Sequence, residues 1–353
     1  MNVCHIVMNY RKITSIILLI VAGCNVFAAT TAGKPLTEYE LLRKVPKERL
    51  RILIGDNKPD EQGFIGTNHR AGYWIEAGTQ RGTCRVVVYG VVTGDLTAAD
   101  EAWRGIETTF AHQQADGSFE ANVRPNGASA KPLGAAVETS FFFLQELGRA
   151  ILVIRESPYE KHFHERIVAL EPKIRKGMAF VASGYDTIIA NSSHAVNRIF
   201  IAAKAFGLCG LVLKDEQLVA LSRKLVAHGL TRRDQDGVFS ENGGRDSSYN
   251  AVSILFGQTL ALHLPIPEFE AALPQAVAWQ ITRIRENGEV DVTGNTRTGV
   301  GKEPSYFGEP KTVNYSEVVQ ALTMYGLVRN DKAALAAADR AFDYWQAKVA
   351  KTK

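Results

Sequence analysis

The strongest constraint on this 353-residue chain is a recurrence. Long stretches with apolar residues at helical spacing are each followed by a short polar turn that carries glycine. Asp116-Gly117-Ser118-Phe119, Asp236-Gly237-Val238-Phe239 and Asn287-Gly288-Glu289-Val290 are the clearest copies, and Gln62-Gly63-Phe64 and Ser183-Gly184-Tyr185 fill the gaps loosely. The glycines at 63, 117, 184, 237 and 288 are separated by 54, 67, 53 and 51 residues, one helical hairpin per repeat. At such positions glycine is expected as a left-handed helix cap. Hairpins repeated five or six times pack as an open solenoid or as a closed ring. The loops at 116–133, 234–246 and 286–314 exceed what a connection needs, which favours an all-α fold of the α/α toroid type, an incomplete barrel of antiparallel hairpins with long loops lining a cleft.

Helical spacing predicts helices near 97–114, 134–155, 160–182, 192–213, 215–229, 247–263, 268–285, 315–328 and 331–349. Thr37-x-x-Glu40 reads as a capping box opening a first helix, which Pro46 interrupts. The stretch 84–93 stays open. Val86, Val87, Val88, Val91 and Val92 favour a strand, whereas the neighbouring elements favour a helix.

Arg11 and Lys12 precede the apolar run Ile13–Ala22, and Val26-Phe27-Ala28 suits a signal peptidase, so residues 1–28 read as an export segment and 29–353 as a single domain. Val21-Ala22-Gly23-Cys24 resembles a lipobox, which makes a lipid anchor on Cys24 the alternative processing. The apolar run is too short to span a bilayer, no later stretch is expected to do so, and the mature protein is expected in the periplasm or secreted. Cys4 and Cys24 belong to the export segment. Cys84 and Cys209 remain, as one disulfide or as two buried thiols. The formal charge of +4 falls to +2 once Arg11 and Lys12 are removed, so no nucleic-acid partner is expected and an anionic ligand needs a local basic cleft. No C-x-x-C, H-E-x-x-H or EF-hand spacing occurs, and no metal or cofactor is expected.

Two constellations carry chemistry. Asn191-Ser192-Ser193-His194-Ala195-Val196-Asn197-Arg198 is expected to open a helix, with His194, Asn197 and Arg198 on one face. Phe239-Ser240-Glu241-Asn242-Gly243-Gly244-Arg245-Asp246-Ser247-Ser248-Tyr249-Asn250 is a glycine-bearing loop that runs into an apolar helix capped by Asp246 or Ser247. Tyr249 then lies in the first turn with Arg245 close by, and a cation beside a phenol favours the phenolate, a usable general base and acid. Alternatively, Asp246 pairs with Arg245 and Tyr249 fills the core. Tyr73-Trp74 are candidates for stacking on sugar rings, and Arg124, Lys131, Lys302 and Lys311 for meeting carboxylates. Asn314 and Tyr315 again place an amide and a phenol at a helix start.

An α/α array with Asn-x-x-His at one helix start and Gly-Gly-Arg-Asp-x-Ser-Tyr-Asn about 50 residues later resembles the helical-toroid polysaccharide lyases over residues 36–350, with family thirty-eight nearest and family five more distant. Ala195 and Val196 stand where the family-five pattern has aromatic residues. The resemblance implies an exported lyase that cleaves a polyuronate, such as alginate or glucuronan, by β-elimination. Asn191 and Arg245 would then neutralise the uronate carboxylate, and Tyr249 would protonate the departing O4. In a syn elimination Tyr249 would also take the C5 proton; in an anti elimination His194 would be the base. Glu138, inside an apolar helix, would be an acidic neutralising group if burial kept it protonated, or else a paired structural glutamate. Asn197, Arg198, Arg124, Asn314 and Tyr315 would contact substrate. Two other functions stay open: a glycoside hydrolase drawing a carboxylate pair from Glu241, Asp246 and Glu138, and a glycan-binding protein without turnover.

Overall fold

The structure, a computed structural model, describes residues 36–55, 57–127, 133–301 and 307–351; residues 1–28, expected to be an export segment, Lys131 and Lys302 lie outside them. The ambiguous valine-rich stretch is helical. Val86, Val87, Val88 and Val91 are almost fully buried, and a helix enclosed on all sides by other helices hides such residues whichever way they point, so burial overrides β propensity. In chain order the helices are α1 (Glu38–Leu42), α2 (Lys47–Ile54), α3 (Gly66–Ala71), a 3₁₀ turn (Ala77–Arg81), α4 (Gly82–Thr93), α5 (Leu96–Ala111), α6 (Leu133–Glu156), α7 (Glu160–Ser183) and α8 (Tyr185–Ser192). They continue with α9 (Val196–Leu213), α10 (Glu216–Leu230), α11 (Ser247–His263), α12 (Pro267–Thr282), α13 (Tyr315–Arg329) and α14 (Lys332–Lys351). Thr37 and Glu40 form the capping box at α1, and Pro46 restarts the chain as the N-cap of α2. Among the described residues there is no strand, only isolated bridges.

These helices form an α/α toroid. α4, α6, α9, α11 and α13 contact one another in order, and the short α2 touches both α13 and α4, completing the inner ring. The outer helices α5, α7, α10, α12 and α14 each pack on the inner helix that precedes or follows them as a hairpin. The described residues from Leu36 onward pack as one unit. α9 is long and apolar enough to cross a membrane, contrary to the expectation that no later stretch would be. It is nevertheless 89% buried inside the ring, an inner helix apolar all round because every side has a neighbour.

The glycine recurrence proves to be a tight turn rather than a helix cap. Three copies make the same bridge, Gln113 with Phe119, Arg233 with Phe239 and Ile284 with Val290, and each tucks that last residue into the core. Gly117 and Gly288 have positive φ, and a Cβ there would overlap the carbonyl oxygens of Lys176 in α7 and Arg340 in α14. Glycine thus lets these two turns lie directly on the backbone of an outer helix, while Gly237 sits against the Gln275 side chain of α12. Gly184 breaks the pattern with φ −94°; it joins α7 to α8 without such a turn.

The two ends of the ring differ. α1 lies against α6, α11 and α13 near the C-terminal ends of α6 and α11. There the fully buried Glu38 accepts from Arg149 Nε of α6 at 2.7 Å and pairs with His263 of α11 at 2.8 Å. His263 also pairs with Glu156 at 3.0 Å. Burial opposes ionisation of Glu38, but Arg149 and His263 outweigh it and hold the carboxyl at about 2. Burial likewise disfavours a charged His263, and Glu156 and Glu38 outweigh it, raising the imidazole to about 9. At neutral pH Glu38 and His263 are therefore both charged where they close this end. Cys84 and Cys209 are buried free thiols, not a disulfide.

Candidate active site

The N-terminal ends of α4, α6, α9, α11 and α13 open onto a cleft of about 1420 Å³. Five inner helices therefore point the positive ends of their dipoles at one space. Among the described residues, seven arginines and lysines line it against four glutamates. Both features favour an anion.

Asp246 organises the cleft's working edge. It caps α11 by accepting from the N–H of Ser248 and Tyr249 with Oδ1, at 3.0 and 3.1 Å. Its Oδ2 accepts from the N–H of Arg297 at 3.1 Å and of Thr298. One buried carboxylate thus starts a helix and ties the loop after α12 to it. The tie brings Arg297 over the Tyr249 ring, 4.3 Å from its centroid, while Lys311 lies 6.0 Å from the same ring. Tyr249 is half-buried and faces the cleft. Deeper in, Arg85 pairs with Glu146 at 3.4 Å and Glu317 at 3.8 Å. Burial raises Glu317 above the usual carboxylate range, against the pull of Arg85 and Arg81. Below the floor, burial pulls Lys204 down to about 8 although it pairs with Glu146 at 3.3 Å.

The sequence candidates divide. Tyr249, Asn191, Asn197, Arg198, Glu138, Arg124 and Asn314 all line the cleft. Arg198 pairs with Glu138 at 3.6 Å, so Glu138 is a paired glutamate rather than an isolated buried acid. Arg124 pairs with Glu76 at 3.1 Å. Asn314 caps α13 and donates its amide to Glu317 at 2.7 Å.

Three candidates sit elsewhere. Arg245 does not accompany Tyr249: its guanidinium is held outside the cleft wall by Asp234 at 2.5 Å and by Asp236, both in the preceding glycine turn. His194 was expected on a helix face with Asn197 and Arg198. α8 ends at Ser192 and α9 starts at Val196, so His194 is an exposed turn residue whose carbonyl receives the N–H of Asn242. Tyr315 is buried, accepts from the N–H of Val290 at 3.1 Å and stacks on Tyr344; burial pushes its phenol up to about 12. Nor is Trp74 available to a sugar, since it is buried and stacked on His112 at 3.9 Å, and Tyr73 donates to the Val123 carbonyl outside the cleft wall.

Sequence reasoning missed Arg297, Arg85 and Glu317. Arg297 lies 48 residues beyond Tyr249 in a loop with no periodic pattern, and its one signal was the length of that loop. No family model matches the chain, and no curated protein matches it. Among solved structures it is similar to a chondroitin AC lyase of Streptomyces coelicolor A3 in complex with chondroitin sulphate, with a TM-score of 0.49 and 14% identity over 88% of this chain and 46% of that one. This chain spans less than half the length of that structure.

Proposed function

We propose that the protein is an exported polysaccharide lyase that cleaves a polyuronate by β-elimination, with Tyr249 as the proton-transfer group. The observation that carries this reading is Tyr249 at the cleft wall with Arg297 and Lys311 against its ring. Elimination breaks the C5–H bond, forms a C4–C5 double bond and expels O4, which takes up a proton; no water is consumed. Arg297 and Arg198, with the Asn191 and Asn197 amides, supply positive charge and donors for the uronate carboxylate, which makes C5–H acidic. Flanking cations stabilise a transient phenolate on Tyr249, so one phenol both takes the C5 proton and delivers one to O4. This fits β-linked mannuronate or glucuronate, where proton and leaving group share a face. His194, outside the cleft wall, does not supply a second base, which supports the syn route over the anti route.

The hydrolase reading is less well supported. Of its three candidate carboxylates, Asp246 has both oxygens committed to backbone N–H groups, and Glu241 is buried against Arg297. Glu138 alone of the three lines the cleft, paired with Arg198. The test is to incubate the protein with polymannuronate, polyguluronate, glucuronan and pectate and follow the ultraviolet absorbance of the unsaturated product. A rise with one polymer that disappears in Tyr249→Phe supports the lyase. New reducing ends without absorbance would establish hydrolysis, and saturable binding without turnover a glycan-binding protein.

A further inference from the structure

Arg297 is controlled from two directions. Asp246 holds its backbone, and Glu241 takes its guanidinium, with Nη1 to Oε1 at 2.6 Å between side chains 7% and 1% exposed. Glu241 is itself immobilised: its backbone bridges to Ala195 and Gly244, and its carbonyl accepts from Thr296 Oγ1 at 2.5 Å. Its second carboxylate oxygen, Oε2, is buried with no hydrogen-bond partner. A buried carboxylate satisfied on one side only is costly to keep ionised, so its grip on Arg297 depends on its protonation state.

We propose, resting on the lyase reading above, that Glu241 is a positioning residue: its ionised carboxylate holds the Arg297 guanidinium over Tyr249, and its protonation releases that hold and sets the acid limb of the reaction. The charged groups that face it are Arg297 from the loop after α12, Arg198 from α9 and Asp246 at the start of α11. Burial pushes Glu241 up to about 7, against the pull of both arginines and with Asp246 adding to the rise. The release therefore falls within the neutral range.

The test titrates the Tyr249 phenol of the full chain by ultraviolet difference against Tyr249→Phe, alongside pH–rate profiles. Glu241→Gln keeps an acceptor for Arg297 but removes the charge. Like the protonated acid, it no longer holds Arg297 over the ring, so the Tyr249 midpoint rises, kcat stays low at every pH and the acid limb near neutrality disappears. Glu241→Ala lets Arg297 leave, so the midpoint rises and kcat drops by about a hundredfold with KM little changed. Arg297→Ala, which removes the guanidinium from the other side, reproduces that rise even if Glu241→Ala fails to fold. A midpoint in Glu241→Gln that stays at the wild-type value or falls, or an acid limb that survives Glu241→Gln, would overturn the proposal. If the wild-type protein turns over no polyuronate, the lyase reading fails on its own, and the midpoint shifts of Glu241→Gln and Arg297→Ala still decide whether Glu241 positions Arg297.

Discussion

The two ends of the toroid use the same kinds of side chain to opposite effect. At the C-terminal ends of α6 and α11, Glu38, Arg149, His263 and Glu156 form a sealed chain under the plug helix α1. At the N-terminal ends, Arg198, Arg297, Arg85 and Lys311 face an open cleft and are balanced by fewer carboxylates. The helix dipoles contribute to both, since carbonyl ends welcome the cations of the plug and amide ends welcome an anion in the cleft. If the cleft is the active site of a lyase as proposed, stability and chemistry are placed at opposite ends of one set of helices. Each should be breakable without the other.

The largest separation is expected from Tyr249→Phe, which should lower turnover by about 10³-fold or more while leaving the thermal melt unchanged. Its mirror image is Arg149→Leu, which removes the cation shared by buried Glu38 and Glu146, leaves them to His263 and to Lys204 and Arg85, and should cost about 3–5 kcal/mol in denaturant melts. The folded fraction of that variant should keep wild-type rates at low temperature; a matching loss of turnover would show that the ends are coupled. Arg297→Ala comes next, with kcat lowered by about 10²-fold and a stability loss of about 1–3 kcal/mol, because buried Glu241 is left without its cation.

The pH dependence sharpens the contrast. His263 is raised from 6.5 to about 9, so its contribution to stability is complete below about 6.5 and lost as pH climbs through 9. Glu38 is lowered from 4.5 to about 2, so its contribution is complete above 4.5 and lost only as pH falls through 2. Melting temperature should therefore decline on the alkaline side, and His263→Gln should flatten that decline. The smallest effect is expected from Arg245→Ala, whose partners are partly exposed aspartates outside the cleft: about 1 kcal/mol or less in stability, and initial rates close to wild type.

How far the sequence could be read follows from the range of the interactions. Helix positions were legible because burial imprints its period locally, as in 247–263, where the predicted and observed bounds coincide. Asp246 was legible as a cap because capping spans only three residues. The cation beside Tyr249 was misread as Arg245 for the same reason. Proximity along the chain suggested a pair, but the turn aspartates Asp234 and Asp236 compete for Arg245 and take it away. Arg297 reaches the site through Asp246 Oδ2, a contact across 51 residues that no local pattern announces.

By itself the sequence determined an all-α chain, the hairpin period written by its glycine turns, and a capped helix bearing Tyr249, because these depend on neighbours within a few residues. Closure of the ring by α2, the plug made by Glu38, and the replacement of Arg245 by Arg297 were decided only in the tertiary structure. The reason is physical: a charged side chain does not carry its partner in its own neighbourhood, and which counter-charge it meets is settled by which helix ends the fold brings together.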